Sequence, residues 1–207
     1  MPKLKSQNPI LAVLETVFAV LPLSPPTENW SVLDWYSKKI CGIPFLIRNI
    51  INIQRAGVNT LIILSKTDNV SLYKKLCKEK KITLKLIFKT DIAEVIKVTQ
   101  GDSLVILNSN ALHTQQEIES CISFKNKTNE ALLHSIDSKS ITEALTKLTL
   151  GEEILLPQPS DNHNSRIIFL PGKKKSRIST SEDFLIQQKN LIQSSGLNND
   201  SFMDKAI

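Results

Sequence analysis

The polar tripeptide Asn108-Ser109-Asn110 follows directly on the uncharged run Leu104-Val105-Ile106-Leu107. If that run is a buried parallel strand, the tripeptide stands at its carboxyl end, where open α/β sheets hold their ligands. Lys38 and Lys39 form a second candidate group, two ammonium groups that either face a phosphate or stay solvated. The histidines are poorer candidates. His113 and His134 are isolated and His163 shares a polar loop with Asp161; no pair has metal-ligand spacing, so each reads as a surface or core histidine and no metal site is expected. Cys41, Cys77 and Cys121 are far apart, odd in number and without CxxC spacing. That pattern fits reduced thiols in a cytoplasmic compartment, packed as small core residues.

A sheet is needed to position such groups, and the stretch Gly42 to Leu64 supplies its clearest unit. Pro44 opens a helix with Leu46, Ile50 and Ile53 on one stripe and Ile47 and Ile51 beside it; Ala56-Gly57-Val58 stops it, and Leu61 to Leu64 follows as a strand. An aliphatic strand straight after a helix argues for a parallel sheet covered on both faces. Ile10 to Leu14 reads as the first, central strand, and Asn29 to Lys39 as a helical turn or irregular loop carrying Trp30, Trp35 and Tyr36. Ser71 to Lys81 reads as a basic amphipathic helix, with Leu72, Leu76 and Tyr73 inward and Lys74, Lys75, Lys78, Lys80 and Lys81 outward. Thr83 to Phe88 is a strand, Asp91 caps a helix to about Val98, and Gln115 to Phe124 is a further helix. Ala131 to Ile136, Glu153 to Leu156 and Arg166 to Leu170 are strand candidates and Thr142 to Leu148 a helix. Ser179-Thr180-Ser181-Glu182 fits a capping box before a last helix carrying Phe184, Leu185, Leu191 and Ile192, with Gly196 at its end. The expected fold is α/β, three-layered and Rossmann-like, with a mostly parallel central sheet.

With 207 residues, 41% of them hydrophobic and 22% charged, the chain can bury one sizeable core. The net charge of +6 suits phosphates or an anionic surface, but aromatics are only 5% and no RNA-binding signature is present, so nucleic acid is not an expected partner. Lys3 and Lys5 followed by an apolar run imitate a signal peptide, yet Glu15 sits inside that run, which is also too short to span a bilayer. A cytoplasmic domain without a transmembrane segment is expected.

The Gly42-x-Pro44-x-Leu46-Ile47 opening, the amphipathic helix, Ala56-Gly57-Val58 and the strand after it resemble a segment of sugar-nucleotide pyrophosphorylases and related nucleotidyltransferases of GT-A type. Arg177-Ile178-Ser179-Thr180-Ser181-Glu182-Asp183 resembles the D-x-D-T-x-E-D stretch that introduces that family's last helix. The resemblance implies a nucleotidyltransferase-like domain over residues 1–195. Residues 196–207 resemble the tail that links such a domain to a membrane CDP-alcohol phosphatidyltransferase, whose D-x-x-D-G-x-x-A-R motif does not occur here.

The resemblance also implies a site, and this chain departs from it at each device. The family's first strand feeds a glycine-rich G-x-G-x-R loop, whereas Ile10 to Leu14 continues into Glu15-Thr16-Val17-Phe18-Ala19-Val20-Leu21-Pro22, with no glycine before Gly42. The metal aspartates correspond to Asn110 and Arg177, and the latter's companion to Ser179. Glu15, Lys38, Lys39, Asn108, Asn110 and Arg177 are the nucleotide-binding candidates, Asn110 and Arg177 standing at the expected ligand positions, with no metal ligand among them and no cofactor expected. The resemblance thus implies a degenerate binding, assembly or regulatory domain of a larger CDP-alcohol phosphatidyltransferase at the inner face of the membrane. The alternative is an active magnesium-dependent nucleotidyltransferase joining CTP or another triphosphate to a sugar- or alcohol-phosphate. Expected partners are a nucleotide, a membrane domain in the same polypeptide and a second copy of the chain.

Overall fold

The computed structural model describes residues 17–27, 29–66, 69–99, 103–122, 132–135, 145–146, 166–170 and 172–195. At its centre is strand β1 (Val17–Pro22), hydrogen-bonded in parallel to β4 (Thr60–Leu64) on one side and β6 (Ser103–Leu107) on the other. Strand β5 (Lys85–Lys89) extends the sheet beyond β4; β8 (Arg166–Leu170) and antiparallel β7 (Leu132–Ser135) extend it beyond β6. The order β5-β4-β1-β6-β8-β7 contains five parallel strands.

Alternation of side chains along these strands divides the core in two. Ala19, Leu21, Leu61, Ile63, Val105 and Leu107 face one layer, with Phe45, Leu46, Ile50 and Ile53 of α2 (Phe45–Arg55), Leu72 and Leu76 of α3 (Val70–Lys78) and Ile118 of α5 (Gln115–Ile122). Val20, Ile62, Leu64, Leu104 and Ile106 face the other, with Val95 of α4 (Ile92–Thr99). Both faces of each central strand are covered, which is why these runs carry no charge. Gly57, at φ 92°, takes the left-handed conformation that lets the chain leave α2 and enter β4. A small hairpin, β2 (Lys39–Ile40) with β3 (Ile43–Pro44), turns at Cys41 and Gly42 just before α2.

The three-layer, mostly parallel fold is as expected, but several local assignments change. Residues 10–14 lie outside the described residues, and the central strand is built from the stretch expected to continue past it as a loop. Val17-Phe18-Ala19-Val20-Leu21 is as apolar as residues 10–14, and only its hydrogen bonds to both β4 and β6 decide between them. Tyr73 points outward, 42% exposed, with its ring edge-on to Phe88 of β5, because Leu72 and Leu76 already fill the inner face of α3. Cys77 is exposed on that helix, while Cys121 is buried and Cys41 half-buried. The capping box is shifted by one residue: Thr180 caps α6 (Ser181–Ser194) and Asp183 returns the bond, its carboxylate accepting from the Ser179 and Thr180 N–H groups. Leu185 faces outward from α6. The expected strand at residues 153–156, His163, and residues 196–207 lie outside the described residues, as does most of the helix expected at 142–148. Among the described residues no helix is long and apolar enough to cross a membrane.

Candidate functional site

The chain leaves β1 toward β4 on one side and returns through β6 on the other, so the crevice outside the carboxyl ends of β1 and β6 is the topological switch point of the sheet. Leu23, Ser24, Pro25 and Pro26 follow β1; Asn108, Ser109 and Asn110 follow β6. Helix α1 (Val32–Ser37), capped by the Ser31 hydroxyl, places Trp35 and Tyr36 between them, with 0% and 1% of their surface exposed.

A hydrogen-bond network ties these groups together. Asn110 Oδ1 accepts from Trp35 Nε1 and lies within bonding distance of the Tyr36 hydroxyl, both at 3.0 Å, while Asn110 Nδ2 donates to the Ser24 carbonyl at 2.5 Å. Ser109 donates its only proton to the Pro22 carbonyl at 2.5 Å. The Tyr36 hydroxyl accepts from the Ser24 N–H at 3.1 Å and shares its own proton among Ser109 Oγ, Asn110 Oδ1 and the Ser24 carbonyl. Burial pushes the Tyr36 phenol well above its ordinary range, so it stays protonated and available as a donor. Aromatic, hydroxyl and amide groups are thus bonded to one another across the crevice.

The segment after Asn110 is fixed from two sides. Residues 110–112 pair with 176–178: Leu112 N–H donates to the Ser176 carbonyl at 2.9 Å and Ile178 N–H to the Asn110 carbonyl at 2.7 Å, with an antiparallel bridge between Ala111 and Arg177. From α2, Asn49 Nδ2 donates to the Ala111 carbonyl at 2.9 Å, Asn49 Oδ1 accepts from His113 N–H at 3.2 Å, and Asn52 Nδ2 donates to the His113 carbonyl at 2.7 Å. His113 is wholly buried. Its Nε2 lies 2.8 Å from the Asn108 carbonyl, which can only accept, so the proton is on Nε2 and Nδ1 has no partner among the described residues. Burial pushes the imidazole pKa down, keeping it neutral.

The structure sets Asn108 and Asn110 at the switch point and the backbone of Arg177 beside Ala111, while Glu15 lies outside the described residues. Lys38 lies at the rim, its ammonium 3.6 Å from the Trp30 ring centroid and donating to Ser181 Oγ at 2.6 Å. Lys39 is exposed on the β2 hairpin. The amide positions of Asn49 and Asn52, and the polar tips of Trp35 and Tyr36, were not foreseen as part of this cluster. Their one sequence signal is Asn49 standing on the apolar stripe of α2 beside Leu46, Ile50 and Ile53.

The magnesium that the sequence resemblance implies does not fit these groups. An amide oxygen has two lone pairs, and Asn110 Oδ1 already faces two donors; the other expected ligand position is a cationic guanidinium. Among the described residues no three His, Cys, Asp or Glu side chains gather as a cation site. Two clefts are lined by other residues. A cleft of about 450 Å³ opens at the carboxyl ends of β4 and β5, lined among others by Leu23, Ser65, Asn69, Tyr73, Phe88 and Thr90. A neighbouring one of about 440 Å³ is bounded by Lys66, Asp91 and Ile96. None of the expected site residues lines either cleft.

No protein-family model matches the chain, and no curated protein matches it by sequence. Its structure is similar to that of 4-diphosphocytidyl-2C-methyl-D-erythritol synthase from Anaerococcus prevotii DSM 20548, with a TM-score of 0.50 and 12% identity, covering 86% of this chain and 98% of that one. At that identity the likeness shows the fold alone: a Rossmann-like α/β domain with a mostly parallel sheet.

Proposed function

We propose that this chain is a nucleotidyltransferase-fold domain that does not perform nucleotidyl transfer, and that it serves as a binding, assembly or regulatory part of a larger CDP-alcohol phosphatidyltransferase at the inner face of a membrane. The observation that carries the first half is the state of Asn110. Its carbonyl oxygen faces Trp35 and Tyr36 and its amide nitrogen is bound to Ser24, so a group aligned with a metal carboxylate is spent on holding α1 against the sheet. The residues after β1 reinforce it: Pro25 and Pro26 have no backbone N–H to offer a phosphate, and no glycine there permits close backbone approach. The second half rests on the tail's resemblance to a linker preceding a membrane domain.

Thermal unfolding of the chain with CTP, other nucleoside triphosphates and magnesium tests the reading. A ligand bound only by the folded state at a hundred times its Kd stabilises by about 2.7 kcal/mol, so real binding is visible as a rise in Tm. The proposal expects no shift that requires magnesium and no change in any nucleotide shift when Arg177 is replaced by Ala. A magnesium-dependent rise with CTP would instead favour the active nucleotidyltransferase.

A further inference from the structure

Helix α3 and the edge strand beside it form a face that the nucleotidyltransferase reading does not use. Leu72 and Leu76 seal α3 against the sheet, and at about 3.6 residues per turn the opposite side of the helix is split lengthwise. One flank carries Val70, Tyr73 and Cys77, all exposed. The other carries Lys74, Lys75 and Lys78. Lys80, Lys81 and Lys85 continue the charge past the helix to the start of β5, and Glu79 is the only acidic residue from Val70 to Lys89. The apolar flank is fixed in place, because the Tyr73 ring stands edge-on to Phe88 with centroids 4.2 Å apart.

From this arrangement we infer that α3 is a docking face for an anionic lipid surface. A solvated charged helix would not need an outward apolar flank, here Val70 and Tyr73 at the mouth of the cleft beside β4 and β5, and the lysines of α3 are not needed to guard the β5 edge, which carries Lys85 and Lys89 of its own. Six exposed lysines supply charge complementary to acidic headgroups, and a valine and a tyrosine beside them suit the boundary between headgroup and acyl chain. A nucleic acid is the less fitting occupant. The face has no arginine for bidentate base or phosphate contacts, and its one exposed aromatic ring is held edge-on by Phe88, where it is a poor platform for stacking. The apolar flank reaches the cleft that Leu23 also lines, but no residue of α3 takes part in the hydrogen bonds around Asn110, so the docking face stands whether or not the nucleotidyl-transfer site is dead.

Co-sedimentation of the whole chain with vesicles decides it. The chain is expected to pellet with phosphatidylcholine vesicles containing phosphatidylserine, not with phosphatidylcholine alone, and to be released as salt is raised. Replacing Lys74, Lys75 and Lys78 together by Gln should lower partitioning about fivefold per lysine, on the order of a hundredfold in all. Tyr73→Ser should weaken binding while leaving its salt dependence, and Lys173, Lys174 and Lys175 replaced together by Gln should change it little. Because all these side chains are exposed, circular dichroism should report an unchanged fold in each variant. No binding to anionic vesicles at low salt would overturn the inference. So would a loss that follows Lys173–Lys175 instead of α3, or a duplex DNA bound at the same salt more tightly than the vesicles and through the same lysines.

Discussion

Asn110→Asp is the most informative single change, because the two roles open to this position predict opposite results. The substitution keeps shape and volume but exchanges the Nδ2 donor for an oxygen. At neutral pH the introduced carboxylate would still accept from Trp35 and Tyr36, while its second oxygen would stand against the Ser24 carbonyl, 2.5 Å from the present nitrogen. One hydrogen bond is lost, two acceptors face each other, and a charge enters a part-buried site. The usual cost of leaving one such group unsatisfied is about 1–3 kcal/mol. For a domain of this size that lowers Tm by roughly 2–12 °C, at about 2–4 °C per kcal/mol. The pH dependence has a definite sign. An acid whose folded pKa is raised by burial and a facing carbonyl penalises folding above that pKa and ceases to do so once protonated, when it again donates to Ser24. Urea unfolding of the two proteins at neutral and mildly acid pH, with and without magnesium, should show a deficit that shrinks on acidification and ignores the ion. A variant as stable as the parent at neutral pH, or one that magnesium selectively stabilises, would refute the structural role of Asn110.

Gly172→Ala should be strongly destabilising, by more than about 2 kcal/mol: its Cβ would lie 2.3 Å from that of Ala111, and its φ of +74° strains any side chain. Gly57→Ala, at φ +92° but with open space around it, should cost only about 1 kcal/mol in the same chemical denaturation series. His113 gives the chain an acid-sensitive step. Burial lowers its folded pKa below the ordinary 6.5, so the unfolded chain binds more protons as pH falls; stability is complete above about pH 6.5 and declines below it. Burial acts to raise the Asp183 pKa, but the Ser179 and Thr180 N–H groups donate to its carboxylate and hold it low, so it keeps its contribution until pH falls below the ordinary carboxylate range. The slope between pH 6.5 and 5 should therefore shrink in His113→Gln, as read from denaturant midpoints.

The sheet was largely legible and the site only partly so, for different physical reasons. Leu61 to Leu64 and Leu104 to Leu107 announce buried strands because both faces of each must be apolar, a demand visible in any window of the chain. Residues 10–14 and 17–21 meet that demand equally well, and nothing local says which run pairs with β4 and β6. The loop after β1 therefore lies several residues further along than expected, and Pro25 and Pro26 within it have no backbone N–H to offer a phosphate. Asn110 and Arg177 were placed together through resemblance, and the pairing of residues 110–112 with 176–178 brings them together. Spacing could not reveal that Trp35 and Tyr36, some 75 residues from Asn110, would close over it, since a side chain's partners across the sheet leave no periodic trace. Tyr73 failed for a related reason: a tyrosine on an amphipathic helix reads as core until the leucines beside it are seen to fill the space.

If, as proposed, the switch-point crevice is a structural plug and not a working nucleotidyl-transfer centre, turnover should be absent. The most direct test is pyrophosphate release by the unmodified chain, given CTP, magnesium and a phosphorylated alcohol or sugar. None is expected above the protein-free rate, and none after Asn110→Asp and Arg177→Asp are combined, because Pro25 and Pro26 still withhold the amides that would steady the phosphates. Robust magnesium-dependent release by the unmodified chain would contradict it.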